Sequence, residues 1–253
     1  MTPANSGPTR VVDTSQLESA IAFGFDAAML AASAILIVTL TLPKPEPRAA
    51  QPFWTAMKAG IRRLWANQKL RRLALTLGAY NFFSQMIWSV MVLYAQDVLG
   101  LSSVGYGVLL SAMAVGGLAG SMAAPLIIRR IGISRGLLIS MTGFILSTGL
   151  LVFTTNPWIA GLALMGDAFT GMLWNITTVS YRQRHIPAPL LGRVNSAYRF
   201  IGSGTQPLGA LAGGALVALA APIGPWALHL PFATAAIGAT ALLIYARFRL
   251  RLD

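Results

Sequence analysis

An aspartate in the middle of an apolar stretch is the residue of this chain best suited to chemistry. Asp167 is the tenth residue of Trp158–Ser180, about 15 Å along it at helical rise. A carboxyl group at membrane depth is costly unless it faces protein or water, and there it can exchange a proton or attract a cation. Asn175 follows about two helical turns later. Asn81 and Gln85 stand at i and i+4, on one helix face, with Tyr80, Trp88 and Tyr94 nearby. Gln206 and Arg199 mark a later apolar stretch, and Asp26 an earlier one. Together these residues could line a wet central cavity with aromatic walls. Each also has a plain structural reading. Asn and Gln hydrogen-bond between membrane helices, and Arg199, close to a helix end, can snorkel to the interface.

Other chemistries are excluded by what the chain lacks. There is no cysteine, so no thiolate metal site and no disulfide framework. The two histidines, His185 and His229, fall in different regions, too few for a metal cluster. No phosphate-cradling Gly-Lys-Ser/Thr run occurs, and no soluble domain is large enough to hydrolyse ATP. The reading is of a protein that is not an enzyme, needs no cofactor, and draws on a gradient or on the substrate itself.

The elements that position these residues are apolar helices. The chain is 55% hydrophobic and 10% charged, against about 25% charged in a soluble domain. Mean hydropathy is +0.66. Seven stretches are long and apolar enough to cross a bilayer: Ile21–Leu42, Leu73–Tyr94, Tyr106–Ile128, Gly136–Phe153, Trp158–Ser180, Val194–Ala220 and Trp226–Tyr245. Backbone groups in lipid must be satisfied within the segment, so each is a helix. The fold class is all-α, a polytopic bundle of seven transmembrane helices.

The net charge of +12 sits where orientation, not nucleic acid, requires it. The first connection carries Lys44, Arg48, Lys58, Arg62, Arg63, Lys69, Arg71 and Arg72 against Glu46. The second has only Asp97. The third has Arg129, Arg130 and Arg135, and the fourth is uncharged. The fifth has Arg182, Arg184 and Arg193, and the sixth is uncharged. The tail has Arg247, Arg249 and Arg251. Basic residues thus fall on alternate connections, which puts the N-terminus outside and the C-terminus in the cytoplasm.

Residues 1–20 are mostly polar, with Pro3, Gly7 and Pro8, and read as a disordered N-terminal segment rather than a signal peptide. Residues 21–42 form the first span. Residues 43–72 form a cytoplasmic linker, in which Phe53, Met57, Ile61 and Leu64 recur at helical spacing beside Trp54 and Trp65. Lys58, Arg62, Arg63 and Lys69 supply a charged side. This pattern predicts an amphipathic helix at the inner membrane face. Residues 73–253 form a six-helix bundle.

Small-xxx-small steps at Gly116–Gly120 and Gly209–Gly213 predict close helix contacts. Pro207 is expected to bend the sixth span, and Pro231 the seventh.

The run Arg182-Gln183-Arg184-His185-Ile186-Pro187, continuing to Gly192-Arg193-Val194, resembles the connection between helices ten and eleven of the major facilitator superfamily. The resemblance is to bacterial efflux-type members related to macrolide and siderophore exporters. Arg129-Arg130-Ile131-Gly132-Ile133-Ser134-Arg135 is similar to a worn copy of the connection between helices eight and nine. Its acidic position is Arg129 here, so the usual gating ion pair lacks its acid. The resemblance implies that residues 21–42 stand for helix six and 73–253 for helices seven to twelve, with helices one to five missing. It implies substrate/proton antiport by alternating access in a bacterial inner membrane, with the substrate between two halves. Asn81, Gln85, Trp88, Asp167, Asn175 and Gln206 are then the cavity candidates, Asp167 the proton-coupling candidate, and Arg129, Arg130, Arg184, Gly192 and Arg193 the cytoplasmic loop candidates. The expected partners are lipid, a small organic substrate, protons and an N-terminal transporter half. Spans two to four and five to seven are expected to form inverted three-helix units.

Two other readings compete. One is a non-transporting truncated remnant or membrane subunit. The other is a seven-helix receptor-like protein. A retinal pigment is excluded, because Lys44, Lys58 and Lys69 all lie in the first long connection and none is buried in a span.

Overall fold

The computed structural model describes residues 14–40 and 53–250, all helices and short connections. The chain divides into two units, Met1–Ala50 and Gln51–Asp253. The first contains one described helix, α1 (Thr14–Thr39). It starts about two turns before the expected boundary at Ile21, so the polar run 14–20 is helical. The rest of the N-terminal segment expected to be disordered, residues 41–42 of the expected first span and residues 43–52 of the expected linker lie outside the described residues.

The second unit begins with α2 (Phe53–Ala66). Leu64 is buried, Met57 and Ile61 are half-buried, and Lys58, Arg62 and Arg63 are exposed. The helix is amphipathic, but its apolar side rests on α3 (Gln68–Trp88) and α8 (Ala188–Gly204). Gly60 makes this possible: a side chain there would strike the Arg193 carbonyl.

Asn67 starts α3 by accepting the backbone amides of Lys69 and Leu70 at 3.0 and 3.1 Å. The expected second span is not one continuous helix. After Trp88 the chain passes through a three-residue turn, α4 (Met91–Leu93), and one π turn, Tyr94–Val98. Then come α5 (Ser103–Ile131) and α6 (Ile133–Phe153). Only Gly132 separates these two, at φ +84°, a conformation that favours glycine. α7 (Pro157–His185) is capped by Asn156, whose Oδ1 accepts from the Trp158 amide at 2.8 Å. It runs past the expected end at Ser180, carrying Arg182 and Arg184 on a helix rather than in a loop.

The expected sixth span is broken at Thr205 into α8 and α9 (Gln206–Leu219). Pro207, which has no N–H to continue the ladder, sits in the first turn of α9. The expected seventh span opens as a 3-10 segment, Ala221–His229, before α10 (Leu230–Arg249). Pro231 therefore does not bend a helix interior. It lies in the first turn of α10, where a missing donor costs nothing.

Four described segments are long and apolar enough to cross a membrane: Ser103–Ile131, Ile133–Phe153, Pro157–His185 and Ala221–Arg249. The first, second and sixth expected spans fall short of this measure: the apolar part of α1 is the shorter Phe23–Thr39, α3 shares its helix with Lys69, Arg71 and Arg72, and α8 and α9 are interrupted. Large apolar side chains such as Leu118, Met122, Leu146, Leu162, Leu211 and Ile237 stand exposed on the surface of this unit. A surface this apolar belongs in lipid.

Helix packing follows an exchange pattern. α5 packs on α7, and α9 packs on α3. α6 packs on α7, and α10 packs on α3; α6 and α10 meet each other. Swapping the triplet α3, α5, α6 for α7, α9, α10 exchanges the first four contacts in pairs and returns the α6–α10 contact to itself. The glycine steps obey the same exchange. Gly116 and Gly120 lie against the Met165 and Phe169 carbonyls of α7. Gly209 and Gly213 lie against the Phe82 and Met86 carbonyls of α3. Two three-helix units, each supplying one glycine-stepped helix to the other, account for the bundle.

Candidate functional site

Asp167 projects from α7 into a chamber of about 10 Å³ between α3, α6 and α7. Ser84 and Trp88 reach it from α3, and Ser147 and Thr148 from α6; Phe144 and Leu164 close its apolar side. The Oδ1 atom of Asp167 is enclosed and meets no hydrogen-bond partner. A carboxylate oxygen enclosed without a protein donor is costly as an anion, a cost that uptake of a proton or a cation would offset.

Tyr80 fixes the wall beside this acid, and is near enough to interact with its charge. Its ring stacks on Trp174 at 5.4 Å and meets Phe144 at 4.6 Å. These two partners belong to different apolar clusters. One gathers Tyr94, Phe144, Leu151 and Phe232. The other gathers Leu73, Leu137, Trp174 and Val194. Tyr80 links them at the level of the acid.

The other expected cavity residues are distributed. Trp88 shares the chamber with Asp167. The Asn81 side-chain amide donates to the Gly202 carbonyl at 2.8 Å. Thr205 donates to the Gly78 carbonyl at 2.7 Å and to the Gly202 carbonyl at 3.0 Å. The Gly202 carbonyl lies about one turn before the break between α8 and α9, and the Asn81 bond to it and the Thr205 bond to the Gly78 carbonyl of α3 hold α3 and α8 together at that break. Gln85 is half-buried on the same face of α3, and Gln206 half-buried as the first residue of α9. Asn175 is exposed on α7. Arg129 and Arg130 are exposed in the last turn of α5, and Arg184 near the end of α7. Gly192 is exposed with open space around it, and Arg193 is half-buried, its carbonyl against Gly60.

Three features escaped the sequence. Ser84, Ser147 and Thr148 gave no signal, because short hydroxyl side chains in membrane helices commonly bond their own backbone, as Ser140 does to Gly136 at 2.9 Å. Arg182, expected in a solvated connection, is buried with its guanidinium 3.8 Å over the Tyr198 ring. A cation on an aromatic face is favourable, the more so when desolvated. His229 is also buried, its Nδ1 bonded to the Val152 carbonyl at 2.7 Å and its ring against Tyr94 at 5.5 Å.

A second cavity of about 450 Å³ lies between α5 and α7. Leu109, Ala112, Trp158, Leu162 and Met165 line it. It is an apolar groove. Met165 and Asp167 are two residues apart on α7, about 200° around the helix, so the groove and the acid's chamber lie on different sides of that helix.

The model of the Major Facilitator Superfamily matches residues 15–210, from α1 into α9. No curated relative matches the chain.

Proposed function

Because the chain belongs to the major facilitator superfamily, a family of transporters of multi-pass membrane architecture, we propose that it forms one wall of a secondary active transporter that exports small organic compounds in exchange for protons. The observation that carries this reading is Asp167: a carboxylate with an enclosed, unpartnered oxygen, at the junction of α3, α6 and α7. It takes a proton while its chamber communicates with one membrane face and releases it after the bundle opens to the other. The apolar groove between α5 and α7 supplies contact for the hydrophobic part of a substrate. The alternation of charge supports seven spans with the N-terminus outside and the basic connections in the cytoplasm, and the resemblance to bacterial efflux-type members supports a bacterial inner membrane.

Alternating access needs a second wall. That wall is a complementary set of helices, carried on the same polypeptide or on a partner. The test is proton-driven uptake of a fluorescent organic cation into inverted vesicles holding both walls. Asp167→Asn is expected to preserve expression and insertion and to abolish dependence on the pH gradient. Full coupling in that variant removes Asp167 from the mechanism. Absence of transport with every complementary wall supports a non-transporting membrane subunit instead.

A further inference from the structure

We propose that the corner formed by α2, α3 and the end of α10 binds the phosphate headgroup of an anionic phospholipid, in the leaflet that meets the basic end of the bundle. The corner is separate from the Asp167 chamber. Ser84, the chamber residue of α3 nearest to it in the chain, lies twelve residues beyond Arg72, about 18 Å along the helix.

The chain turns from α2 into α3 over Asn67 alone. Lys69, Arg71 and Arg72 follow within the first five residues of α3. Two of them are held in place. Arg71 donates from Nη1 to the Trp65 carbonyl at 3.2 Å, and Arg72 donates from Nη1 to the Arg249 carbonyl at 2.8 Å. Trp65 and Arg249 stand at the C-terminal ends of α2 and α10, where carbonyls lack a partner within the helix. The second bond brings the end of α10, with exposed Arg247 and Arg249, against the start of α3. Capping uses one of the five N–H donors that each guanidinium carries. Among the described residues neither guanidinium has a further hydrogen bond or ion pair, so fixed donors remain for an anion. The N-terminus of α3 adds its partial positive charge at the same place.

No acid among the described residues neutralises this corner. Within residues 53–250 the acids are Asp97, in the π turn beyond the far end of α3, and Asp167, within α7. Lys69, Arg71, Arg72, Arg247 and Arg249 therefore share the corner without a counter-charge, and an external anion offsets their repulsion. Orientation in a membrane accounts for basic residues at this end of the bundle. It does not require that they be tied to one another through helix ends.

The apolar neighbours identify the carrier of the anion as lipid. Ile237, Ala241, Ile244 and Phe248 are exposed at i, i+4, i+7 and i+11, a single stripe along α10. The stripe ends at Phe248, between Arg247 and Arg249. Tyr245, one residue from the stripe, and Trp65, on α2 at the corner, are exposed as well. Aromatic and basic side chains at the end of an apolar helix face mark headgroup level. An acyl chain follows the stripe while the phosphate meets the cations.

The test is native mass spectrometry of the full chain in detergent, delipidated and titrated with phosphatidylglycerol, with zwitterionic phosphatidylethanolamine and inorganic phosphate as comparisons. Saturable binding of phosphatidylglycerol is expected, about tenfold or more tighter than that of phosphatidylethanolamine, and not displaced by equimolar inorganic phosphate. Lys69→Gln combined with Arg247→Gln changes two exposed side chains and should weaken phosphatidylglycerol binding by about tenfold or more. Arg129→Gln combined with Arg130→Gln removes the same charge from the end of α5 and should leave the affinity unchanged. A photoreactive phosphatidylglycerol should label residues 237–248 of the parent chain, a readout that needs no variant. Equal losses in the two double variants would mean that net charge, not this corner, attracts the lipid, and would overturn the proposal. Equal binding of the two lipids overturns it too, as does labelling confined to other helices. Displacement by inorganic phosphate would make the corner a site for free anions and not for lipid.

Discussion

Asn81 on α3 donates its side-chain amide to the carbonyl of Gly202 on α8, 2.8 Å away and one turn before that helix breaks. The same carbonyl accepts the Thr205 hydroxyl at 3.0 Å. A helix interrupted within a membrane bundle frees backbone acceptors, and these two side chains satisfy one of them. Asn81→Ala should therefore lower thermal stability by about 0.5–2 kcal/mol. Thermal unfolding in detergent checks this, with Asn81→Asp as a comparison that removes the donor and keeps the shape.

The glycine steps make a sharper distinction. Gly116→Ala and Gly209→Ala should each disturb the bundle, because the new methyl meets the Met165 or Phe82 carbonyl, which belongs to rigid helix backbone. Overpacking of this kind costs about 1–3 kcal/mol. Gly107→Ala and Gly214→Ala meet open space and should be neutral or slightly stabilising. Equal effects in the two pairs would mean that helix propensity, not close approach, governs these positions.

Tyr94 ties the end of α6 to the turn after α3. Its hydroxyl lies 2.8 Å from the Leu151 carbonyl and 2.7 Å from the Thr154 carbonyl, and donates between them. Tyr94→Phe keeps the ring against Phe232, 4.7 Å away, and removes only the donor. The expected loss is about 1–3 kcal/mol, the cost of leaving a buried acceptor unpaired. Faster hydrogen exchange at the end of α6, with the rest of the bundle unchanged, is the local signature to look for.

Topology can be measured directly because the chain has no cysteine. A single cysteine at Arg184 should resist a membrane-impermeant thiol reagent in intact cells and react in inverted vesicles. One at Asp97 should behave oppositely. Labelling of position 184 from outside would reverse the orientation inferred from charge.

Arg182 offers a test of packing by a buried charge. Its guanidinium stacks on Tyr198 at 3.8 Å. Arg182→Lys retains the charge but not the planar stack. It should be less stable than the parent chain, while Arg184→Lys, on an exposed side chain, should not differ.

The sequence by itself determined the medium, the helical class and the close contacts of the two glycine steps. Hydropathy over tens of residues and the absence of side chains at Gly116, Gly120, Gly209 and Gly213 are local properties, and they survive folding. It also singled out Asp167, since an acid in the middle of an apolar segment is conspicuous without coordinates. What surrounds that acid was decided by tertiary structure. Ser84 is far from Asp167 in the chain, and Ser147 and Thr148 sit on a third helix; the packing of α6 on α7 and the reach of α3 across to α7, seen in the Tyr80–Trp174 stack, make all four residues line one chamber. The same holds for Asn81. Its pattern with Gln85 described one helix face, but the Gly202 carbonyl it bonds is exposed by a break in α8 that belongs to another part of the chain. Arg182 read as a solvated basic residue, because its neighbours in sequence are polar. Its neighbour in space is the ring of Tyr198, one helix later, and that contact keeps the guanidinium inside.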